Sequence, residues 1–160
     1  MRHLVITIGC EYGAKGNAIG RKIAEDLNIK FYNRELVDEI IEEVGIPKEI
    51  MENCVIIGRS ADYILKDSDK INLLRAFIYA PDDVRIHNIM ESHNLTEKDA
   101  RILLLEKDKR YHKRHLALTG SNRGDRHNRN ILIDSSYLGI EGTADYIEEL
   151  VRRKFGSGEE

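Results

Sequence analysis

The chain has 160 residues, 41% of them hydrophobic, and a formal charge of −3. This length supports one sizeable core and is too short for two ordinary domains, so residues 1–160 are read as a single domain. Cys10 and Cys54 lie far apart, inside or beside apolar runs, which argues against a disulfide framework or a cysteine metal site and points to a reducing compartment, the cytoplasm. The basic start at Arg2 and the short apolar run after it are interrupted before they reach signal-peptide or membrane length, so no membrane association is expected.

Strands and helices alternate along the chain. Leu4 to Ile8 is β-branched and apolar, the pattern of a central parallel strand covered on both faces. It runs into a glycine-rich turn, after which Ile19, Ile23, Ala24 and Leu27 recur at helical spacing and Asn28 closes the helix before a short strand at Ile29–Tyr32. Leu36, Val37, Ile40, Ile41 and Val44 predict a second helix, ended by Gly45 and Pro47. Cys54–Ile57 reads as a buried strand stopping at Gly58-Arg59, and Leu73–Tyr79 as a fourth. Pro81 opens a helix with Asp82 and Asp83 in its first turn, where acids suit the positive end. Thr96-Glu97-Lys98-Asp99 has the form of a cap for a longer helix, Asn130–Asp134 is a fifth strand, and Ile140–Phe155 is a closing helix. Five strands separated by helices predict a three-layer α/β fold, P-loop NTPase-like, with a five-stranded parallel sheet and helices on both faces.

Ligands of such sheets bind at the carboxyl ends of the strands, here Gly9–Asn17, Gly58–Ser60 and Ala80-Pro81. The first of these is a strand, a glycine-rich turn and a helix, an arrangement that gathers backbone N–H groups and a positive helix end on one spot and suits a phosphate. A G-x-x-x-x-G-K-[ST] loop fits it in two registers. In one, Gly9 comes first, Lys15 is the lysine, Ala14 replaces the second glycine and Gly16 the hydroxyl residue. The other, anchored on the helix, puts Gly16 at the lysine position and Ala18 at the threonine, and fits the helical pattern without a gap. Both leave the Mg²⁺-binding hydroxyl missing. A tight turn joining strand to helix, with no ligand, is the bland alternative.

Residues 106–129 carry eight basic and three acidic residues, a surplus of five positive charges on a chain whose remainder is eight negative. Such a segment suits a small polyanion better than duplex DNA. A solvated helix face is the competing reading.

The turn Glu11-Tyr12-Gly13, the segments Arg21–Ala24, Val55–Ile64 and Arg75–Pro81, and the stretch Ile133–Gly142 resemble the cytidylate-kinase-like family of nucleoside monophosphate kinases, a likeness covering nearly the whole chain. The resemblance implies ATP and Mg²⁺ as cofactors, with the loop of Gly13, Ala14, Lys15, Gly16, Asn17 and Ala18 holding the donor phosphates. It implies that Arg59 binds the acceptor phosphate, while Ser60 stands where the family has an acid. It makes 106–129 a lid whose Arg110 and Arg114 contact the transferring phosphoryl group. Four residues apart, these two share a helical face, unless neighbours such as Glu106 and Asp108 engage them as surface ion pairs. The stretch from Val44 to Cys54 is shorter than the family's acceptor-binding insertion. His112, His115 and His127 have no carboxylate or cysteine pattern for a metal and read as solvated or phosphate-facing.

Three functions follow: a nucleotide-dependent kinase acting on a nucleoside monophosphate or related small molecule, a nucleotide- or phosphate-binding module that has lost catalysis, and an RNA-binding protein. Tyr111 is the sole aromatic among the charges of 106–129, which disfavours nucleic acid as a partner. A small phosphorylated ligand is the expected partner, and homo-oligomerisation is left open.

Overall fold

The computed structural model describes residues 2–33 and 52–156. The helix expected over 34–44 and the short stretch before Cys54 fall largely outside the described residues. Strands β1 (His3–Cys10), β2 (Lys30–Tyr32), β3 (Cys54–Ile57), β4 (Ile71–Tyr79) and β5 (Ile131–Asp134) form one parallel sheet in the order β2-β3-β1-β4-β5. All five expected strands are present, β4 starting two residues before the apolar run that announces it.

β1 lies at the centre because its side chains tolerate burial on both faces. Val5, Ile6 and Ile8 are wholly buried and Thr7 nearly so. It pairs with β3 from Val5 opposite Cys54 to Ile8 opposite Ile57, and with β4 from His3 opposite Ile71 to Cys10 opposite Ile78. Alternate side chains enter different layers, as a strand's period of two requires. Ile6, Ile8, Val55 and Ile57 pack with Ile19 and Ile23 of α1 (Gly16–Leu27) and Ala144 and Ile147 of α5 (Ser135–Phe155). On the other face, Val5, Cys54 and Ile56 meet Ala61 of α2 (Ala61–Ile64) and Leu65. Each fully buried isoleucine contributes about 1.5–3 kcal/mol of hydrophobic stabilisation. The cysteines are free; burial pushes the Cys54 thiol up to about 12, which makes it a packing residue.

Helix ends follow local chemistry. Thr96 Oγ1 accepts from Asp99 N at 3.2 Å and opens α4 (Glu97–Thr119), which ends at the left-handed Gly120. α5 begins at Ser135, five residues before the periodic pattern, because Asp134 caps it by accepting from Ser136 N at 2.8 Å. Gly139 (φ 74) then breaks the helix, so the regular apolar spacing resumes only at Ile140.

α3 (Asp82–His93) packs against α4 through Ile86, Ile89, Ala100 and Leu104, with Tyr12 of the loop after β1 against this cluster. Arg85, 2% exposed, ties them together. Its Nε donates to Tyr12 O at 2.8 Å, Nη2 to Asp108 Oδ1 of α4 at 2.6 Å, and Nη1 lies 3.3 Å from Asp82 and 3.5 Å from Glu11. Removing the buried guanidinium takes the donor from Tyr12 O and unties the loop from the two helices, while the partly exposed acids regain water. Arg85→Ala is expected to cost about 1–3 kcal/mol of stability, with Arg85→Lys falling between it and wild type, measured as shifted urea-unfolding midpoints.

α1 and α5 cross where Asp26, Asp145 and Glu148 meet, and Glu148 is only 4% exposed. Burial, followed by the hydrogen bond and charge of Asp26 and the charge of Asp145, pushes the Glu148 carboxyl from 4.5 up to about 7, against the opposing pull of Lys22. A raised acid favours the folded state while protonated, so its stabilisation is lost as pH rises from about 4.5 through about 7. Unfolding free energies measured at intervals from pH 5 to pH 8 are expected to fall by up to about 3 kcal/mol, and Glu148→Gln to flatten that fall and be the more stable protein at pH 8.

Candidate phosphoryl-transfer site

The turn after β1 is held by its carbonyls. Tyr12 O accepts from Arg85 Nε, Gly13 O from Asn88 Nδ2 at 2.8 Å, and Ala14 O from Ser135 Oγ at 2.7 Å. A peptide's carbonyl and its following N–H point opposite ways, so anchoring carbonyls on the surrounding helices turns N–H groups the other way. Ala14 N–H closes the turn onto Glu11 O at 3.1 Å. Lys15 supplies no side-chain cap to α1, which leaves the N–H groups of its first turn for a ligand. A cavity of about 550 Å³ lies on this side, with Gly13, Lys15, Gly16, Asn17 and Ala18 in its wall. Ala14 is buried and is not part of this wall.

The backbone favours the second register. Lys15 has φ 64, a left-handed conformation that glycine adopts freely and other residues at a cost of about 1–2 kcal/mol, so Lys15 fills the glycine position. Gly16, at the lysine position, opens the helix with its Cα packed on Cys10; a Cβ there would lie 2.6 Å from Cys10 Sγ. Lysine is thus sterically excluded at residue 16, and the loop's cation is the exposed Lys15 one residue earlier. Ala18 has no hydroxyl. The residue that follows Gly16, at the hydroxyl position, is Asn17, so the backbone N–H groups and Lys15 suit the phosphates of a nucleotide, while the one side-chain oxygen offered to Mg²⁺ at that place is the neutral amide of Asn17 in the cavity wall.

The second centre follows β3. Gly58, Arg59 and Ser60 all have positive φ (70, 56 and 55), and Gly58 N donates to Ile8 O at 2.8 Å. The turn faces a small cavity of about 40 Å³, walled by Arg59, Ser60, Arg114, His115, Arg123 and Arg129. Arg59 and Arg114, distant in sequence, are therefore brought together. Arg110 is not part of this wall: its guanidinium is exposed and lies 3.4 Å from Glu106, the surface pair that competed with its lid role. Ser60 Oγ is 2.8 Å from His115 Nδ1, and two residues on, in α2, Asp62 lies 2.7 Å from Arg129 Nη1 in a buried ion pair.

Burial pulls the Arg129 guanidinium below its ordinary value and Asp62 opposes this; the guanidinium also stands over the Phe77 ring at 5.1 Å. Arg129 Nη2 donates to Arg123 O at 3.0 Å, and Arg123 Nη2 donates to Cys10 O. The segment after α4 thereby bridges the two centres. Sequence reasoning did not single out Arg85, Asn88, Asp62, Arg123 or Arg129. Arg123 and Arg129 contributed only to a charge count, and no spacing rule announces a pair joining Asp62 to Arg129.

The model of the cytidylate kinase-like family matches residues 5–53 and 48–137. A cytidylate kinase of Thermococcus sibiricus is 25% identical over 158 residues, covering 92% of this chain and 80% of that protein. An uncharacterised protein from Eubacterium ventriosum has a solved structure that superposes with a TM-score of 0.85 at 26% identity, over 96% of this chain and all of that one. The shikimate kinase of Bacteroides thetaiotaomicron shares the fold at a TM-score of 0.56 and 14% identity, over 93% of this chain and 98% of that one. With its five-stranded sheet, its loop after β1 and a family match spanning most of its length, the chain belongs to the cytidylate kinase-like family.

Proposed function

We propose that this protein is a small-molecule kinase that transfers the γ-phosphoryl group of ATP to the phosphate of a nucleoside monophosphate. The observation that carries the reading is the meeting of two phosphate-suited cavities at the end of β1. Gly9 lines the arginine-walled one and its neighbour Cys10 the one beside the glycine-rich loop. A donor on the N–H groups of Gly13–Ala18 and an acceptor phosphate at Arg59 and Ser60 then stand on either side of one strand terminus, the juxtaposition that transfer between two phosphates needs. Phosphoryl transfer depends mainly on positioning and charge neutralisation, and the site offers both. Arg59 grips the acceptor phosphate, Ser60 fixes the loop through His115, and Arg114 neutralises charge on the transferring group. Arg110 joins it when residues 106–129 close as a lid and draw it away from Glu106.

Binding without turnover is the second reading, and one observation favours it. Cys10 occupies the space a lysine at residue 16 would need, and Asn17, the next residue of the motif, carries an amide where the motif has a hydroxyl.

The test is ATP consumption by purified protein with Mg²⁺ across a panel of nucleoside monophosphates, alongside direct ATP binding. Acceptor-dependent turnover is expected. Arg59→Ala should raise the KM for the acceptor at least tenfold, since a hydrogen bond to a charged group is worth about 1.5–3 kcal/mol, with little change in that for ATP. Arg114→Ala should lower kcat about tenfold or more and Arg110→Ala less. ATP binding with no turnover for any acceptor would select the second reading.

A further inference from the structure

The arginine-walled cavity contains polar atoms whose hydrogen-bonding capacity is unused. His115 is 5% exposed and Arg129 7%, yet His115 Nε2 and Arg129 Nε are buried without a hydrogen-bond partner among the described residues. Asp62 Oδ2 and Arg129 Nη1 neutralise one another but make no directional hydrogen bond. A buried polar atom left unpaired costs about 1–3 kcal/mol, and several around one void mark a place where something with oxygen atoms belongs. The void of about 40 Å³ is several times the space needed for one water, enough for a phosphate group's oxygens.

Among the nitrogen donors on the side chains of this wall, His115 is the one that can act without carrying charge. Burial pulls its imidazole below the ordinary histidine value; Arg129, Arg123 and His112 push the same way and Asp62 opposes them. Arg59 and Arg114 line the same cavity. A neutral ring has one N–H and one lone pair, and the hydrogen bond at one nitrogen decides what the other presents. With Ser60 Oγ 2.8 Å from Nδ1, a hydroxyl donating to Nδ1 leaves the proton on Nε2.

We infer that His115 is a phosphate-binding residue, held by Ser60 as the Nε2–H tautomer so that it donates a neutral hydrogen bond to the acceptor phosphate between Arg59 and Arg129. This rests on the reading of the cavity as the acceptor-phosphate site and adds to it a residue and a tautomer. Among guanidiniums that supply attraction, an uncharged donor fixes orientation without adding a further positive charge to hold the product back. Ser60 gains a role as well, since the hydroxyl it carries in place of an acid sets the imidazole.

The experiment is ¹⁵N-imidazole NMR of the full chain titrated with inorganic phosphate, with dissociation constants for wild type, His115→Gln, His115→Leu and Arg59→Ala. The Nε2–H tautomer is expected in free protein, with the Nε2 resonance shifting as phosphate binds. His115→Gln, which keeps an N–H donor, should bind within about threefold of wild type, and His115→Leu about tenfold more weakly. An Nδ1–H tautomer in wild type overturns the inference, and this needs no variant to fold. Phosphate affinity that Arg59→Ala abolishes and His115→Leu leaves intact overturns it while sparing the acceptor-site reading. Wild-type protein that binds no phosphate overturns both.

Discussion

Burial of β1 on both faces is the constraint from which the site follows. A strand whose consecutive residues Val5, Ile6, Thr7 and Ile8 all avoid water has a stable place only in the middle of a covered sheet, here between β3 and β4. The chain leaves β1 toward β2 and β3 on one side and crosses to β4 and β5 on the other, so the sheet's direction of winding changes at β1. That change opens a crevice beyond its carboxyl end, and the glycine-rich loop and the Gly58–Ser60 turn both abut it. The position of the chemistry is thus a consequence of packing before any charged residue is considered.

Charged side chains then hold this crevice in shape. Arg85 fastens the loop after β1 to α3 and α4, while Arg123 and Arg129 run from Cys10 to Asp62. The two systems approach the end of β1 from opposite sides, and both draw on α4 or the segment after it. A movement of α4 would therefore be felt at both phosphate-suited centres at once. This use of the basic segment also leaves fewer of its arginines for a long polyanion, since Arg129 is buried and Arg123 is committed to the interior.

What could be read from the sequence was what repeats. Periods of two and of 3.6 exposed the five strands, α1 and the cap at Thr96, because burial acts on every turn and every alternate residue. α2 escaped notice because four residues make no period and its entry is three left-handed residues. The first turn of α5 was hidden by the break at Gly139. At the site, the strand-end rule pointed to the stretches holding Gly13–Asn17 and Arg59, whereas Arg114 was singled out only by the family resemblance. Arg85 was not, since an arginine after Asp82 and Asp83 looks like any exposed first-turn residue until Tyr12 and Asp108 close over it. The helical face shared by Arg110 and Arg114 was a weaker guide, because one turn is enough to carry a side chain from the cavity wall to Glu106.

The left-handed run at Gly58, Arg59 and Ser60 has a thermodynamic consequence for recognition. Non-glycine residues adopt that conformation against their own preference, and the folded chain sustains it through its own hydrogen bonds and packing. The conformational entropy of arranging the loop is therefore spent during folding, and a ligand arriving there has little backbone left to order. Its association should resemble the closing of a rigid clasp, with affinity set by the match of oxygens to donors rather than by the loss of loop freedom.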